Sequence, residues 1–284
     1  MRDVGRWTSG EAERVYKATP PGDEPGLLQV EVRDLNPDRA SYGLSIIRRA
    51  EELLAAGRRK DEFLAALSHE LRSPLASIWN ALALLGNESG ETLARQKAQA
   101  LIERQVRRMT QLVDDLLDLS RITRGQLRLR RERIDLSLAV RHAVATLEGS
   151  IDALGHRLTV VVPDDPVWLQ GDPDRLEQVF VNLLANAAKY TDPGGEIFVG
   201  IEVQIDQALV RVRDSGIGMT PEGLLKIFEL FRQADEADMH SRSGLGIGLA
   251  LVRNFVELHG GTVSAASAGL GHGSEFTVSL PREA

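Results

Sequence analysis

Between residues 64 and 85, Leu64, Leu67, Leu71, Leu75, Ile78, Leu82 and Leu85 recur at steps of three and four, the spacing of one α-helical face. His69 falls roughly 160° from the middle of that stripe, and Ser73 projects beside it one turn on. The only histidine of this helix is therefore expected to face away from the core, followed directly by Glu70. Pro74 predicts a bend one turn later, at a cost of ~3 kcal/mol in an ordinary helix. Upstream, Leu44, Ile47, Ala50 and Leu54 are spaced like a coiled-coil seam from about Ser41, weakened at Gly57. Residues 1–40, with Pro20, Pro21, Gly22, Pro25, Gly26 and Pro37, read as irregular or disordered, and a short extended piece fits around Leu27 to Val32. Gly86 to Gly90 is a turn. A second helix then runs to about Ile122, its stripe Met109, Leu112, Val113, Leu116 and Leu117. Two such helices make an antiparallel hairpin that buries its stripes poorly alone, so a second copy completing a four-helix bundle is expected.

Beyond Arg124 and Gly125 the pattern changes to period two at Leu158–Val162, Ile197–Val203, Leu209–Val212 and Phe276–Leu280. Helical patterns fall at Leu138–Leu147, Asp174–Lys189, Pro221–Phe231 and Leu249–His259. Mixed strands and helices over this length predict a second domain that contains both.

Composition narrows the classes. There is no cysteine among the 284 residues, so disulfides, thiolate metal sites and cysteine nucleophiles are excluded. No run approaches the ~18 apolar residues of a membrane span. The N-terminus, with Asp3, Trp7 and Glu11, does not read as a signal peptide, and a cytoplasmic location is expected. Residues 41–133 carry 17 Lys/Arg against 12 Asp/Glu, and residues 134–284 carry 11 against 21. Neither balance is that of a nucleic-acid binder. The basic excess of the hairpin suits an acidic protein partner or simply a solvated face.

Four stretches of the second domain carry candidate chemistry. Asn182, Asn186 and Lys189 follow i, i+4, i+7 spacing, so two amides and an ammonium share one helix face. An amide oxygen suits Mg²⁺, and the alternative is a solvated polar face. Asp214-Ser215-Gly216-Ile217-Gly218-Met219 follows a predicted strand: its carboxylate can accept from an exocyclic amine, and its glycines admit a flat ring. Many turns share that pattern. Gly244-Leu245-Gly246-Ile247-Gly248-Leu249 leads into a helix, whose free N–H groups and positive dipole end favour a phosphate. Gly271-His272-Gly273-Ser274 reads as a tight turn before the last strand. Ser73 stands where H-E-x-x-H needs its second histidine, and no Gly-Lys pair exists for a Walker A loop, so a zincin and a P-loop are both excluded.

Together these stretches resemble the sensor histidine kinases of two-component systems, from about Lys60 to Pro281. Phe63 to Leu75 is similar to the family's H box, Asn182 to Tyr190 to its N box, Asp214 to Met219 to its G1 box, Ile227 to Phe231 to its F box and Gly244 to Leu249 to its G2 box. All five occur in the family's order. The resemblance implies an all-α hairpin, dimeric as a four-helix bundle, followed by an α/β sandwich ATP-binding domain of the Bergerat type. It divides the chain into an N-terminal segment 1–40, a signalling helix 41–60, a dimerisation and phosphotransfer domain 61–125 and a catalytic domain 126–284.

The resemblance makes His69 the phosphoacceptor, Glu70 its general base and Asn186 the Mg²⁺ ligand. It puts Asp214 at the adenine amino group, with Asn182, Lys189, Tyr190, Gly216 and Gly218 around the nucleotide. Residues Arg232 to Ser243 would form a lid, hinged by Gly244, Gly246 and Gly248 with Leu245 and Leu249 beside them. ATP and Mg²⁺ are the implied cofactors, and the implied partners are a second copy and the receiver domain of a response regulator. Ser73 replaces the usual threonine or asparagine and weakens the expectation of phosphatase activity. Ser243 replaces a frequent lid glycine. Two other classes stay open: a nucleotide-driven conformational ATPase, and a scaffold whose nucleotide site has decayed.

Overall fold

Helix α1 spans residues 64–85 and continues through Pro74. The computed structural model describes residues 64–85, 92–230 and 245–283, all within the unit Phe63–Ala284. The expected N-terminal segment, signalling helix, hairpin turn and lid, with Phe231 and Gly244, lie outside the described residues.

Helix α2, Thr92–Thr123, forms the second arm. The hairpin does not bury the whole predicted stripe. Glu70, Pro74 and Ala81 are buried on α1, whereas Leu64, Leu75 and Leu82 are exposed, Leu75 by 52%. At 100° per residue the buried face is turned roughly 70° from the stripe's middle, toward Glu70. On α2 the exposed large apolar residues are Leu93, Val106, Val113 and Leu117. Each arm thus uses one flank of its stripe inside the hairpin and leaves the other flank uncovered.

The rest of the chain builds a sheet with helices against it. Strands β1 (Glu132–Asp135) and β3 (Trp168–Gly171) form a small antiparallel pair. Strands β2 (Arg157–Val161), β4 (Glu196–Val203), β5 (Gln207–Asp214), β6 (Thr262–Ala266) and β7 (Ser274–Pro281) form the main sheet in the order β2-β4-β5-β7-β6. Only β2 and β4 run parallel; every other neighbour is antiparallel. Helices α3 (Leu136–Ala153), α4 (Pro173–Tyr190), α5 (Pro221–Lys226) and α6 (Gly248–Leu258) complete the order.

Four strands and four helices fall where the periodicity places them, with two differences. The strands β1, β3 and β6 have no clear alternating pattern: β1 and β3 have four residues each and β6 is rich in small side chains. The helix expected over Pro221–Phe231 stops at Lys226, and Ile227 to Leu230 turn instead, with Phe228 edge-on to Phe276 at 6.3 Å between ring centres.

Helix α4 is the centre of the packing. Its fully buried Leu176, Val179, Phe180, Leu183 and Leu184 meet Val199, Val210, Val212 and Val278 of the sheet and Leu251 and Phe255 of α6 in one core. Each such side chain contributes about 1.5–3 kcal/mol by leaving water. The helix begins at Pro173, with the Asp172 carboxylate accepting from the Arg175 N–H. The same carboxylate accepts from the Arg130 N–H at 2.9 Å, which ties down the chain leaving the hairpin.

The last turns of α2 meet this helix start. The Arg175 guanidinium donates to Asp118, which is buried, and lies over the Phe255 ring at 5.2 Å. Gln178 Nε2 donates to Asp115 at 3.0 Å, and Gln111 donates to the same oxygen at 2.8 Å. Burial raises the Asp115 pKa, offset by those two amide donors and reinforced by Asp118 and Asp114. Leu119, one residue after Asp118, enters the main core.

His259, the C-cap of α6, is buried with both ring nitrogens engaged: Nδ1 lies 2.7 Å from the Phe255 carbonyl, and Nε2 accepts the Asp172 N–H at 2.9 Å. This geometry fixes the neutral tautomer with the proton on Nδ1. Burial lowers its pKa below the ordinary 6.5, helped by Arg131 and opposed by the Phe255 hydrogen bond and Asp172. Because the native state binds this proton more weakly than the unfolded chain, its contribution to stability is complete above 6.5 and lost as pH falls toward the lowered value. Thermal unfolding should therefore show the melting temperature dropping over that window. A His259→Leu protein should lack that component, and at pH 7.5 should be less stable by about 1–3 kcal/mol, because the Asp172 N–H loses its acceptor.

Candidate active site

The site is built along the exposed edge of α4. Asn182, Asn186, Lys189 and Tyr190 are each half-buried, the first three turned away from the core residues. Asn182 lies against Gly248, the first residue of α6: a Cβ there would stand 3.6 Å from the amide carbon and oxygen. Its Nδ2 is buried with no hydrogen-bond partner. An unpaired buried amide normally costs ~1–3 kcal/mol and calls for an explanation such as a missing ligand. One turn on, Asn186 presents a second amide. Lys189 Nζ donates to the Tyr190 hydroxyl at 2.9 Å and stands 4.5 Å from its ring centre, so these two side chains hold each other.

The far end of α4 supports the Asp214 loop. The Tyr190 carbonyl accepts the Ile217 N–H at 3.1 Å, and a Cβ at Gly216 would come within 2.2 Å of that carbonyl oxygen. Only glycine permits this approach. Asp214, the last residue of β5, is buried and accepts the Gly216 N–H at 2.9 Å. Burial raises its pKa above the ordinary carboxylate value, against the lowering effect of the Gly216 and Ser274 backbone donors. A desolvated acceptor of this kind gains strongly from a donor that a ligand brings.

Gly271 and Gly273 close the other side. The Gly273 N–H donates to the Gly216 carbonyl at 3.0 Å, and the Gly271 N–H to the Ile217 carbonyl at 2.7 Å. Ser267 Oγ accepts the Met219 N–H and donates to the Gly273 carbonyl at 2.7 Å. The sequence marks Gly271 to Ser274 as a plain turn. Its second task, clamping the Asp214 loop, appears only when β7 is paired with β5, Asp214 opposite Ser274.

Of the glycines expected to admit phosphate, Gly246 has a φ of 65°, and the neighbouring Leu245 and Ile247 are buried. Helix α6 opens at Ile247 without a side-chain cap, which leaves its first N–H groups uncapped, and Gly248 lies beside Asn182. Leu249 packs at the edge of the core. The structure therefore places Asn182, Asn186 and Gly248 along the C-terminal half of α4, and Asp214, Gly216 and Gly218 in the loop at its C-terminal end. His69 and Ser73 stand apart, exposed on α1. Glu70 turns inward, buried against Arg108 of α2 at 2.8 Å. The sequence places that carboxylate beside the histidine and does not foresee its cation.

Residues 171–284 match the family described as histidine kinase-, DNA gyrase B- and HSP90-like ATPase, and residues 59–125 match the His Kinase A (phospho-acceptor) domain. The C-terminal domain is thus an ATP-binding fold of the Bergerat type. Among curated proteins, the chain is 34% identical over 257 residues to the circadian input-output histidine kinase CikA of Synechococcus elongatus, covering 84% of this chain and 33% of that one. It is 34% identical over 260 residues to the histidine protein kinase DivJ of Caulobacter vibrioides, covering 90% and 43%. The sensor histidine kinase TrcS of Mycobacterium tuberculosis is 38% identical over 230 residues, covering 78% and 44%. Among solved structures, full-length ShkA in complex with AMPPNP is similar with a TM-score of 0.57 at 28% identity, covering 77% of this chain and 45% of that one. The Acinetobacter baumannii histidine kinase AdeS has a TM-score of 0.54 at 25% identity, covering 76% and 98%.

The chain belongs to the sensor histidine kinases of two-component systems. It spans less than half the length of each of the three curated relatives. Among the described residues, no helix is long and apolar enough to cross a membrane.

The clamp on Asp214 is directly testable. A Cβ at Gly273 would stand 2.0 Å from the Asp214 carbonyl oxygen, at a φ of 68° that side chains rarely adopt. Gly273→Ala should lower stability by more than about 1 kcal/mol, read by thermal unfolding. It should also weaken binding of a fluorescent ATP analogue far more than Gly149→Ala in α3, whose added Cβ meets nothing within 4 Å.

Proposed function

We propose that this chain is an ATP-dependent kinase of its own His69, and that it passes the phosphoryl group to an aspartate of a separate response regulator. One observation carries the reading: a histidine held outside an apolar helical stripe, in a chain whose other domain is an ATP-binding fold. In this reading Asp214 accepts from the adenine amino group in the cradle left by Gly216 and Gly218. Asn182 donates its unpaired Nδ2 toward the phosphates, and the α6 N-terminus with Gly244, Leu245, Gly246, Gly248 and Leu249 receives them. Lys189 and Tyr190 border the nucleotide.

The donor set fits a divalent cation only with nucleotide present. Among the described residues no cluster of three or more His, Asp or Glu offers a metal site. Asn186 alone gives one hard oxygen donor, which suits an ion that keeps its waters and takes phosphate oxygens as its other ligands. When bound there, Mg²⁺ supplies charge neutralisation on the phosphates.

The chain's own part in the transfer follows from His69. The neutral imidazole attacks in line through Nε2; the bond to the γ-phosphorus forms as the β–γ bridging bond breaks, and ADP leaves. Nδ1 keeps its proton as the ring becomes positive, and Glu70, once turned toward it, accepts that hydrogen bond. Ser73, on the same exposed face, orients a water in any dephosphorylation of the partner regulator. The residue ranges 61–125 and 126–284 are the proposed phosphotransfer and catalytic domains, joined to a signalling helix at 41–60.

The assay is incubation with Mg²⁺ and γ-labelled ATP. Acid-labile, base-stable label on the wild type, absent from His69→Gln and Asn186→Ala, is the expected result. ATP turnover with no protein label, unchanged by His69→Gln, would replace the reading with a conformational ATPase.

The uncovered flank of the hairpin supports a second copy as partner. Leu75, Leu82, Val106, Val113 and Leu117 are exposed, and Trp79 is exposed by 76%, a concentration that soluble monomers avoid. A Leu75→Glu, Leu117→Glu protein should sediment as a monomer while its ATP-binding domain melts as before. A wild type already monomeric at tens of micromolar would count against the four-helix bundle.

A further inference from the structure

The two neighbouring residues at the proposed phosphorylation site are turned in different directions. Consecutive side chains leave a helix about 100° apart, and here His69 is exposed while Glu70 is only 4% exposed. The Glu70 carboxylate does not rest on its own helix. Its Oε2 accepts from the Arg108 guanidinium of α2 at 2.8 Å, a partner 38 residues away in sequence. Arg108 keeps about half of its side chain in solvent, 48%, against 5% for Glu70. The pair is therefore lopsided: a buried anion held by a cation that reaches in from the surface.

A buried carboxylate that loses its cation is poorly placed, because desolvation then goes uncompensated. Released from Arg108, Glu70 can swing outward toward Nδ1 of His69, its partner in the proposed transfer. Pro74 has no N–H, so the Glu70 carbonyl lacks the hydrogen bond that residue 74 would otherwise give it.

We propose that Arg108 is a positioning residue for phosphoryl transfer: it holds Glu70 inside the hairpin, away from His69, and sets how often the carboxylate reaches the imidazole. The inference rests on His69 being the phosphoacceptor and Glu70 its hydrogen-bond partner. In the transfer the His69 Nε2 lone pair forms the bond to phosphorus, the β–γ bridging oxygen leaves with ADP, and the Nδ1 proton is shared with the Glu70 carboxylate released from Arg108. Arg108 touches neither the nucleotide nor the reacting atoms, so it acts on the maximal rate and not on ATP binding.

The experiment measures autophosphorylation of the full chain over a range of ATP concentrations, for wild type, Arg108→Met, Arg108→Lys, Glu70→Gln and the Glu70→Gln, Arg108→Met double variant. The expected result is a maximal rate raised about threefold or more in Arg108→Met, with KM for ATP unchanged. Arg108→Lys, which keeps the charge but not the planar fork, should lie between Arg108→Met and wild type. In the Glu70→Gln background, already slowed by ~10²-fold, the Arg108 substitution should change nothing.

A rate at or below wild type in Arg108→Met, or the same rise with Glu70 absent, overturns the proposal. Should Arg108→Met fail to fold, Arg108→Lys decides alone, and a rate no higher than wild type overturns it. Label that survives His69→Gln would instead remove the phosphoacceptor reading and this inference with it, whereas the other failures leave that reading standing.

Discussion

The structure depends on the requirement that α4 do two things at once. One face must be apolar enough to pack between the sheet and α6, and Leu176, Val179, Phe180, Leu183 and Leu184 meet that need with no accessible surface left. The opposite face is then free to carry Asn182, Asn186 and Lys189 at the rim of the domain. A helix buried on all sides could not present amides, and one exposed on all sides could not fix them. The half-burial of this face follows from the helical period of 3.6 residues and the width of the apolar stripe.

Both ends of the same helix are pinned by backbone groups from elsewhere. At the start, Asp172 accepts from Arg130 and Arg175, and its N–H is received by His259 of α6. At the finish, the Tyr190 carbonyl receives Ile217 of the Asp214 loop. Displacement of α4 would therefore move the hairpin linker, the α6 terminus and the Asp214 loop together. Arg175 extends this linkage to the hairpin through Asp118, so the two family domains share a charged contact next to a hydrophobic one at Leu119. Such a contact breaks at lower cost than a purely apolar interface, because both ions can be rehydrated. That property suits the proposed transfer, in which the nucleotide travels to a histidine on another helix.

The hairpin shows a different division of labour. Each arm has an apolar stripe wider than one neighbour can cover, so the chain alone buries one flank and leaves Leu75, Leu82, Val113 and Leu117 in solvent. The rotation that results draws Glu70 inside and leaves His69 outside. A charged residue flanking an apolar stripe becomes buried only when the partner helix supplies a cation, and Arg108 does so.

Much of this architecture was legible in the sequence because it rests on local period and local chemistry. The 3.6-residue repeats of α1, α2, α4 and α6, the alternation of β2, β4, β5 and β7, and the outward place of His69 each follow from neighbours a few positions apart. The amide face of α4 and the glycines after β5 were visible for the same reason. Three things were not. The short strands β1, β3 and β6 have too few alternating positions to stand out, and they exist because a partner strand completes their hydrogen bonds. The end of α5 at Lys226 reflects the packing of Phe228 on Phe276, 48 residues on. The clamp of Gly273 on Asp214, the capture of Glu70 by Arg108 and the tie from Arg175 to Asp118 join residues 38 to 59 positions apart. The sequence by itself determined which side chains each element could present. Only the tertiary structure decided which of them meet, because burial and ion pairing depend on what arrives from the rest of the chain.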